Sequence, residues 1–150
     1  MHGTGGNLNP HFDYSIHPKC GLQRKLNIII YLSQDLRPSR HKGHLGLWSH
    51  DECTNQPKAL VREVAPVFNR AIIFDTTQHS WHGMRQQLQV PKGIYRKSLA
   101  IYYLTEPKQA ESHQRAIYAP RETQKCDKTV LKAIKLRQDS KRFAKAYKIK

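Results

Sequence analysis

The chain has 150 residues, 38% of them apolar, with a formal charge of +15 and three cysteines. That length can bury one core, and no apolar run reaches the roughly 20 residues that a membrane-spanning helix needs. Cys20, Cys53 and Cys126 are widely spaced and odd in number; they form no Cys-x-x-Cys metal pair, and a reducing, cytoplasmic setting is the simplest. Met1 to Pro10 has neither a basic nor an apolar leader region, so no secretory signal is expected.

Met1 to Asn9, rich in Gly and Asn, reads as loop or an interrupted strand. Pro10 to Tyr14 reads as a strand and Ser15 to Gln23 as a loop. Arg24 to Leu32, with its central Ile28-Ile29-Ile30, is the clearest buried strand. Ser33 to Lys42 is a polar connection, Gly43 to Trp48 an alternating strand, and Ser49 to Lys58 a loop. Val61 to Val67 is a short strand stopped by Pro66, and Arg70 to Asp75 a buried one. A turn over Thr76 to Ser80 leads to Trp81 to Met84, and Arg85 to Gly93 is a loop. Ser98 to Leu104 is a strand of high propensity. Short strands with turn signals between them and no helical period argue for a mainly β sandwich or jelly roll. Only beyond Glu122 is helix expected. Lys128 to Tyr147 is rich in Lys and Ala; Val130 and Ile134 share one face, and Leu136, Phe143 and Tyr147 lie on another. The expected division is therefore a β domain over 1–120 and a basic tail over 121–150.

His11 and Asp13 stand at i and i+2, so a strand projects both to one face. An imidazole and a carboxylate converging in this way supply two members of a two-His, one-carboxylate triad, which holds Fe(II) and leaves coordination positions open. His82 is the best candidate for the third. His79 has the wrong parity to share its strand face. His50-Asp51-Glu52 is a competing His-x-Glu in a stretch of loop character, ranked below His11 and Asp13. The alternative for the first pair is a surface pair in a turn-rich segment.

A second constellation opens the last strand. Arg96, Ser98, Ala100 and Tyr102 share a face by alternation, and Arg96 with Ser98 suits a carboxylate: the guanidinium pairs bidentately and the hydroxyl donates. Asn27, Ile29 and Tyr31 share a face of the earlier strand, which offers the Tyr31 hydroxyl as a further donor. The alternative for Arg96 is a strand-end charge in solvent.

Charge is uneven. From Pro107 onward there are 13 Lys/Arg against 4 Asp/Glu. Such a tail suits a polyanion such as nucleic acid, or it keeps the chain solvated.

Taken together, the motifs resemble those of the Fe(II)- and 2-oxoglutarate-dependent oxygenases, most nearly the prolyl-4-hydroxylase-type branch. In order they are His11-x-Asp13, a buried strand ending Tyr31-Leu32, Gly43-His44-Leu45-x-Leu47-Trp48, Phe68-Asn69-Arg70-x-x-Ile73-Phe74, Ser80-Trp81-His82-Gly83, and Arg96-x-Ser98-Leu99-Ala100-x-Tyr102-Tyr103. The likeness runs from about Gly5 to Glu106 and is absent from the basic tail. His82 lies 69 residues after Asp13, and Arg96 lies 14 after His82, gaps that the family accommodates.

The resemblance implies a double-stranded β-helix in which His11, Asp13 and His82 bind Fe(II). It implies that Arg96, helped by Ser98 and Tyr31, pairs with the distal carboxylate of 2-oxoglutarate, with O2 as the oxidant. It further implies hydroxylation of an unactivated C–H in a small molecule or a protein, plausibly a prolyl residue, with release of succinate and CO2. Gly83 would permit a tight turn beside the metal. Specificity would sit in the loops Ser33 to Lys42 and Arg85 to Lys92. Family members carry helices and strands before the His-x-Asp strand; here ten residues precede His11, so a truncated or minimal chain with an uncovered apolar sheet face is expected. The alternatives are a non-catalytic jelly-roll remnant and a nucleic-acid binder acting through Lys128 to Lys150.

Overall fold

Three consecutive isoleucines stiffen the centre of a nine-residue strand, and half of the fold assembles on it. In the computed structural model, which describes residues 1–17, 19–76, 79–107 and 116–139, this strand is β2 (Gln23–Tyr31). Before it in the chain comes β1 (His11–Phe12), and after it come α1 (Pro38–His41) and β3 (Leu45–Asp51). They are followed by β4 (Gln56–Val64), β5 (Ala71–Asp75), β6 (Trp81–Met84) and β7 (Ser98–Thr105). After these come β8 (Ile117–Tyr118), a 3-10 turn (Glu122–Gln124) and α2 (Lys128–Gln138).

The strands form two antiparallel sheets, one ordered β4-β3-β6-β1-β8 and the other β5-β2-β7. They face each other: Phe74 of β5 lies 4.8 Å from the His82 ring of β6, and Tyr102 of β7 donates to Asp13 just beyond β1. The architecture is mainly β and compatible with a jelly roll.

Apolar packing lies beside the space between the sheets more than within it. Phe12, Trp81 and Ala119 form one buried cluster, backed by Trp48 and Ile117. Because His11 and His82 alternate with Phe12 and Trp81, this cluster occupies the other side of the five-stranded sheet. Leu36, Leu88 and Val90 form a second cluster with Ile94. Buried instead beside the facing surfaces are His11, Arg24, Asn27, His82 and Arg96. Charged and amide groups seldom enter an interior without a purpose.

The outer face of the three-stranded sheet is apolar. Ile73, Leu99, Ile101 and Tyr103 stand exposed on it, flanking Ile28 and Ile30 in register. All three cysteines are free and exposed. Among the described residues no helix is long and apolar enough to cross a membrane.

Several sequence expectations change. Asp51 belongs to β3, and β4 begins at Gln56 and ends at Val64, so the expected loop over 49–58 is mostly a hairpin. Asn55, with φ of 53°, makes the turn. β4 is an edge strand exposed along most of its length, so selection for apolar alternation is missing from it. The connection over 33–42 contains α1, started by Pro38 at a position where its missing N–H costs nothing. Gly83 sits inside β6, not in a turn. A Cβ there would lie 2.7 Å from the Asn9 carbonyl oxygen, so glycine lets the backbone before β1 approach. Gly83→Ala is therefore expected to cost on the order of 1–3 kcal/mol by overpacking. Chemical denaturation checks this, and an unchanged midpoint contradicts it.

The two loops expected to set specificity pack on each other through Leu36, Leu88 and Val90. Gly43 faces the same place: a Cβ on it would meet Leu88 Cδ1 at 2.5 Å and Arg96 Cδ at 3.3 Å. These loops thus close over the Arg96 end of the interior. The helix begins at Lys128, capped by Asp127, whose carboxylate accepts from the Thr129 and Val130 amides. It rests on β8, with the Arg137 guanidinium 5.3 Å from the Tyr118 ring, and leaves Lys128, Lys132 and Lys135 exposed. Phe143 and Tyr147, placed by sequence on the same helix, lie outside the described residues.

Candidate metal and carboxylate site

Antiparallel pairing of β1 with β6 sets His11 opposite His82. Asp13 follows two residues after His11, so alternation turns its carboxylate to the same side. His11 Nε2 lies 3.8 Å from Asp13 Oδ1, and His82 Nε2 lies 3.8 Å from Asp13 Oδ2. The two imidazole centroids are 4.3 Å apart. These are separations that one ion at about 2.0–2.2 Å from each donor would draw in slightly.

The tautomers are fixed. His11 Nδ1 contacts the Asn9 carbonyl oxygen at 2.9 Å, and His82 Nδ1 contacts the Ser80 carbonyl oxygen at 2.9 Å. A carbonyl only accepts, so both Nδ1 atoms carry protons and both Nε2 lone pairs are free toward Asp13. The two carbonyls thereby orient both rings, as carbonyl partners do for metal-binding histidines.

Burial keeps both rings neutral in the metal-free chain. The pKa of His11 falls to about 4, through burial first and the adjacent His82 second, with Asp13 opposing. His82 is lowered by burial, again against Asp13. Unfolded His titrates near pH 6.5. Between about pH 6.5 and pH 4 the unfolded chain therefore binds more protons than the folded one, so stability is complete above that window and is lost as pH falls through it. Urea denaturation of the metal-free protein across the window checks the expectation, and a flat profile contradicts it.

Asp13 is held from two other directions. The Tyr102 hydroxyl donates to Oδ2 at 3.0 Å, and Arg24 Nη1 lies 3.8 Å from Oδ1. Burial and the Asp13 charge both raise the Tyr102 pKa, so the phenol remains a donor. Arg24 is sandwiched, with its guanidinium carbon 3.7 Å from both the Tyr14 and Tyr102 ring centroids. Arg24 Nε and Asn27 Oδ1 are buried without a hydrogen-bond partner among the described residues. Tyr118 of β8 stacks on His11 at 5.0 Å. Loss of an outer partner of a metal ligand typically costs 10–100-fold in affinity. Tyr102→Phe should weaken Co(II) binding by roughly 10-fold on that basis. Equal affinities in a calorimetric titration would contradict the role.

The second constellation forms as well. Tyr31 and Ser98 are direct partners in the β2–β7 pairing. Arg96 is 4% exposed and Tyr31 is 0% exposed, so neither is a solvent-facing strand end. Arg96 Nε donates to the Gly43 carbonyl at 2.9 Å, and Nη2 lies 3.5 Å from the Tyr31 hydroxyl. Among the described residues no carboxylate pairs with Arg96. Burial lowers its pKa, with Tyr31 opposing. A buried guanidinium of this kind fits a carboxylate ligand that arrives from outside.

Sequence reasoning missed Arg24. Alternation backward from Asn27 points Lys25 inward and Arg24 outward. A register shift between Arg24 and Leu26 reverses this, burying Arg24 and exposing Lys25. Tyr102 was on the right face, but its partner Asp13 lies 89 residues away.

A family model described as the 2OG-Fe(II) oxygenase superfamily matches residues 1–104. A search of the curated proteins gives no significant match. With residues 1–104 of 150 matched, and His11, Asp13 and His82 gathered between the sheets, the chain belongs to the 2OG-Fe(II) oxygenase superfamily, whose cofactors are Fe(II), 2-oxoglutarate and O2.

Proposed function

We propose that this chain is a dioxygenase that hydroxylates an unactivated C–H, within a double-stranded β-helix. The observation that carries the reading is the pair of Nδ1–H bonds to the Asn9 and Ser80 carbonyls, which leave two imidazole lone pairs and one carboxylate converging. His11, Asp13 and His82 hold the iron. Three protein donors would hold Fe(II) and would leave it open to the 2-oxo acid and the oxidant.

Arg96 takes the distal carboxylate of 2-oxoglutarate, with the Tyr31 and Ser98 hydroxyls as further donors. Ser98 and Tyr102 mark the two ends of the site on β7. Four residues of strand separate them by about 13 Å, room for a five-carbon dicarboxylate between guanidinium and metal. Tyr102 and Arg24 hold the Asp13 carboxylate in place, so the metal meets a preformed donor. Bound together, iron, 2-oxoglutarate and O2 supply the oxidation that converts substrate C–H to C–OH with release of succinate and CO2. Arg24, Tyr14 and Phe74 line the surroundings of the triad and orient the substrate carbon there.

The order of motifs makes peptidyl proline the first substrate class to try. The test is succinate formation from 2-oxoglutarate by the full chain with Fe(II) and O2, with and without proline-containing peptides. Iron-dependent succinate above the protein-free blank is expected. Folded, iron-loaded protein that forms none would overturn the reading.

A further inference from the structure

The His-x-acid pattern that begins on β1 is repeated at the end of β3. His50 and Glu52 stand at i and i+2, as His11 and Asp13 do. Trp48 pairs with Trp81 in the β3–β6 ladder, and continuing that antiparallel register sets His50 opposite His79. The same relation sets His11 opposite His82. Each cluster is therefore a strand histidine with a carboxylate two residues on, just past the strand end, completed by a histidine across from the first. His50 and His79 stack with centroids 3.7 Å apart. His50 Nε2 lies 3.5 Å from Glu52 Oε2, and His79 Nδ1 lies 3.8 Å from Glu52 Oε1.

We propose that His50, Glu52 and His79 form a second site for a borderline divalent transition ion such as Zn2+. It lies on the Trp81 side of the five-stranded sheet, away from the His11–Asp13–His82 triad. Two imidazoles and one carboxylate suit such an ion better than Mg2+ or Ca2+, which prefer all-oxygen shells. Donors bound at about 2.1 Å around a tetrahedral ion stand about 3.4 Å apart, close to the separations already present. The His50 ring is almost covered, with 9% of its side chain exposed, whereas 81% of Glu52 and 37% of His79 are exposed. An ion can therefore enter from solvent onto a ring the strand has already placed. This site does not depend on the oxygenase reading.

One contact sets the two clusters apart. Trp81 Nε1–H donates to His50 Nδ1 at 2.9 Å. An indole N–H only donates, so in the metal-free chain the His50 proton sits on Nε2. To bind an ion through Nε2, His50 must carry its proton on Nδ1 and give up the Trp81 bond. His11 and His82 need no such exchange. The second site is consequently weaker than the first by at least about tenfold, a factor that one lost hydrogen bond readily supplies. Filling it also changes the surroundings of a buried tryptophan.

The experiment is a Zn2+ titration of the full chain, followed by calorimetry and tryptophan emission. Wild type should bind two equivalents, the weaker one accompanied by the emission change. Glu52→Gln and His79→Ala alter exposed side chains and should each bind one equivalent without that change. His11→Ala should lose the tighter equivalent and keep the weaker with its emission change. Saturation of the folded wild type at one equivalent would overturn the proposal. So would a second equivalent and emission change that persist in both Glu52→Gln and His79→Ala.

Discussion

Asp13→Ala is expected to lower Fe(II) affinity by more than about 100-fold and to remove iron-dependent succinate formation. Loss of an outer partner alone costs about 10–100-fold, so loss of the one charged donor exceeds that. Asp13 also neutralises its surroundings: Arg24 lies 3.8 Å away, and Tyr102 donates to the same carboxylate. Alanine leaves that guanidinium without its carboxylate, so the variant loses stability as well as metal. Asp13→Asn lessens the second effect. Arg24 still loses its counter-charge, but the shape and an oxygen for Tyr102 remain, so it should lose less stability than alanine and still fail to hold iron. Anaerobic Fe(II) titration with circular dichroism measures both quantities. Unchanged turnover in both variants would remove Asp13 from the proposed ligand set.

Arg96→Ala is expected to act on the other end of the site. Truncating one partner of a buried, hydrogen-bonded charge pair costs about 2–5 kcal/mol. At 1.4 kcal/mol per tenfold, the midpoint of that range weakens 2-oxoglutarate binding by a few hundred-fold. Fe(II) affinity should stay within about threefold, because Arg96 bonds Gly43 and Tyr31 and touches none of the triad. Arg96→Lys keeps the charge and loses the planar fork, so it should fall between alanine and wild type. Equal losses of iron and 2-oxoglutarate affinity in Arg96→Ala would point to general disruption instead of a carboxylate site.

The parts of the site that lie within regular strands were legible in the sequence. Alternation placed Tyr31 inward with Asn27, and it placed His11 with Asp13. It also put Tyr102 on the face of Ser98, although only the folded chain shows Tyr102 reaching Asp13. Irregularity hid the rest. One shift in register inside β2 turned Arg24 into the site, and a period of two cannot anticipate an extra residue. β4 escaped detection for part of its length because an edge strand exposed to water carries little apolar pattern. β8 has only two residues, too few for any period, yet it brings Tyr118 onto His11. His50 reads as loop in the sequence because its strand status depends on pairing with β4, which no local pattern encodes, whereas Glu52 does lie in the turn after β3.

If the His11–Asp13–His82 triad and the buried Arg96 guanidinium together hold Fe(II) and 2-oxoglutarate, the chelate gives a weak visible charge-transfer band. The most direct measurement is an anaerobic titration of the full chain with Fe(II) and 2-oxoglutarate, monitored by that band. A band that saturates at one equivalent in wild type and is lost at the same concentrations in Arg96→Ala is expected. Folded wild-type protein that gives no band would contradict a joint Fe(II) and 2-oxoglutarate site.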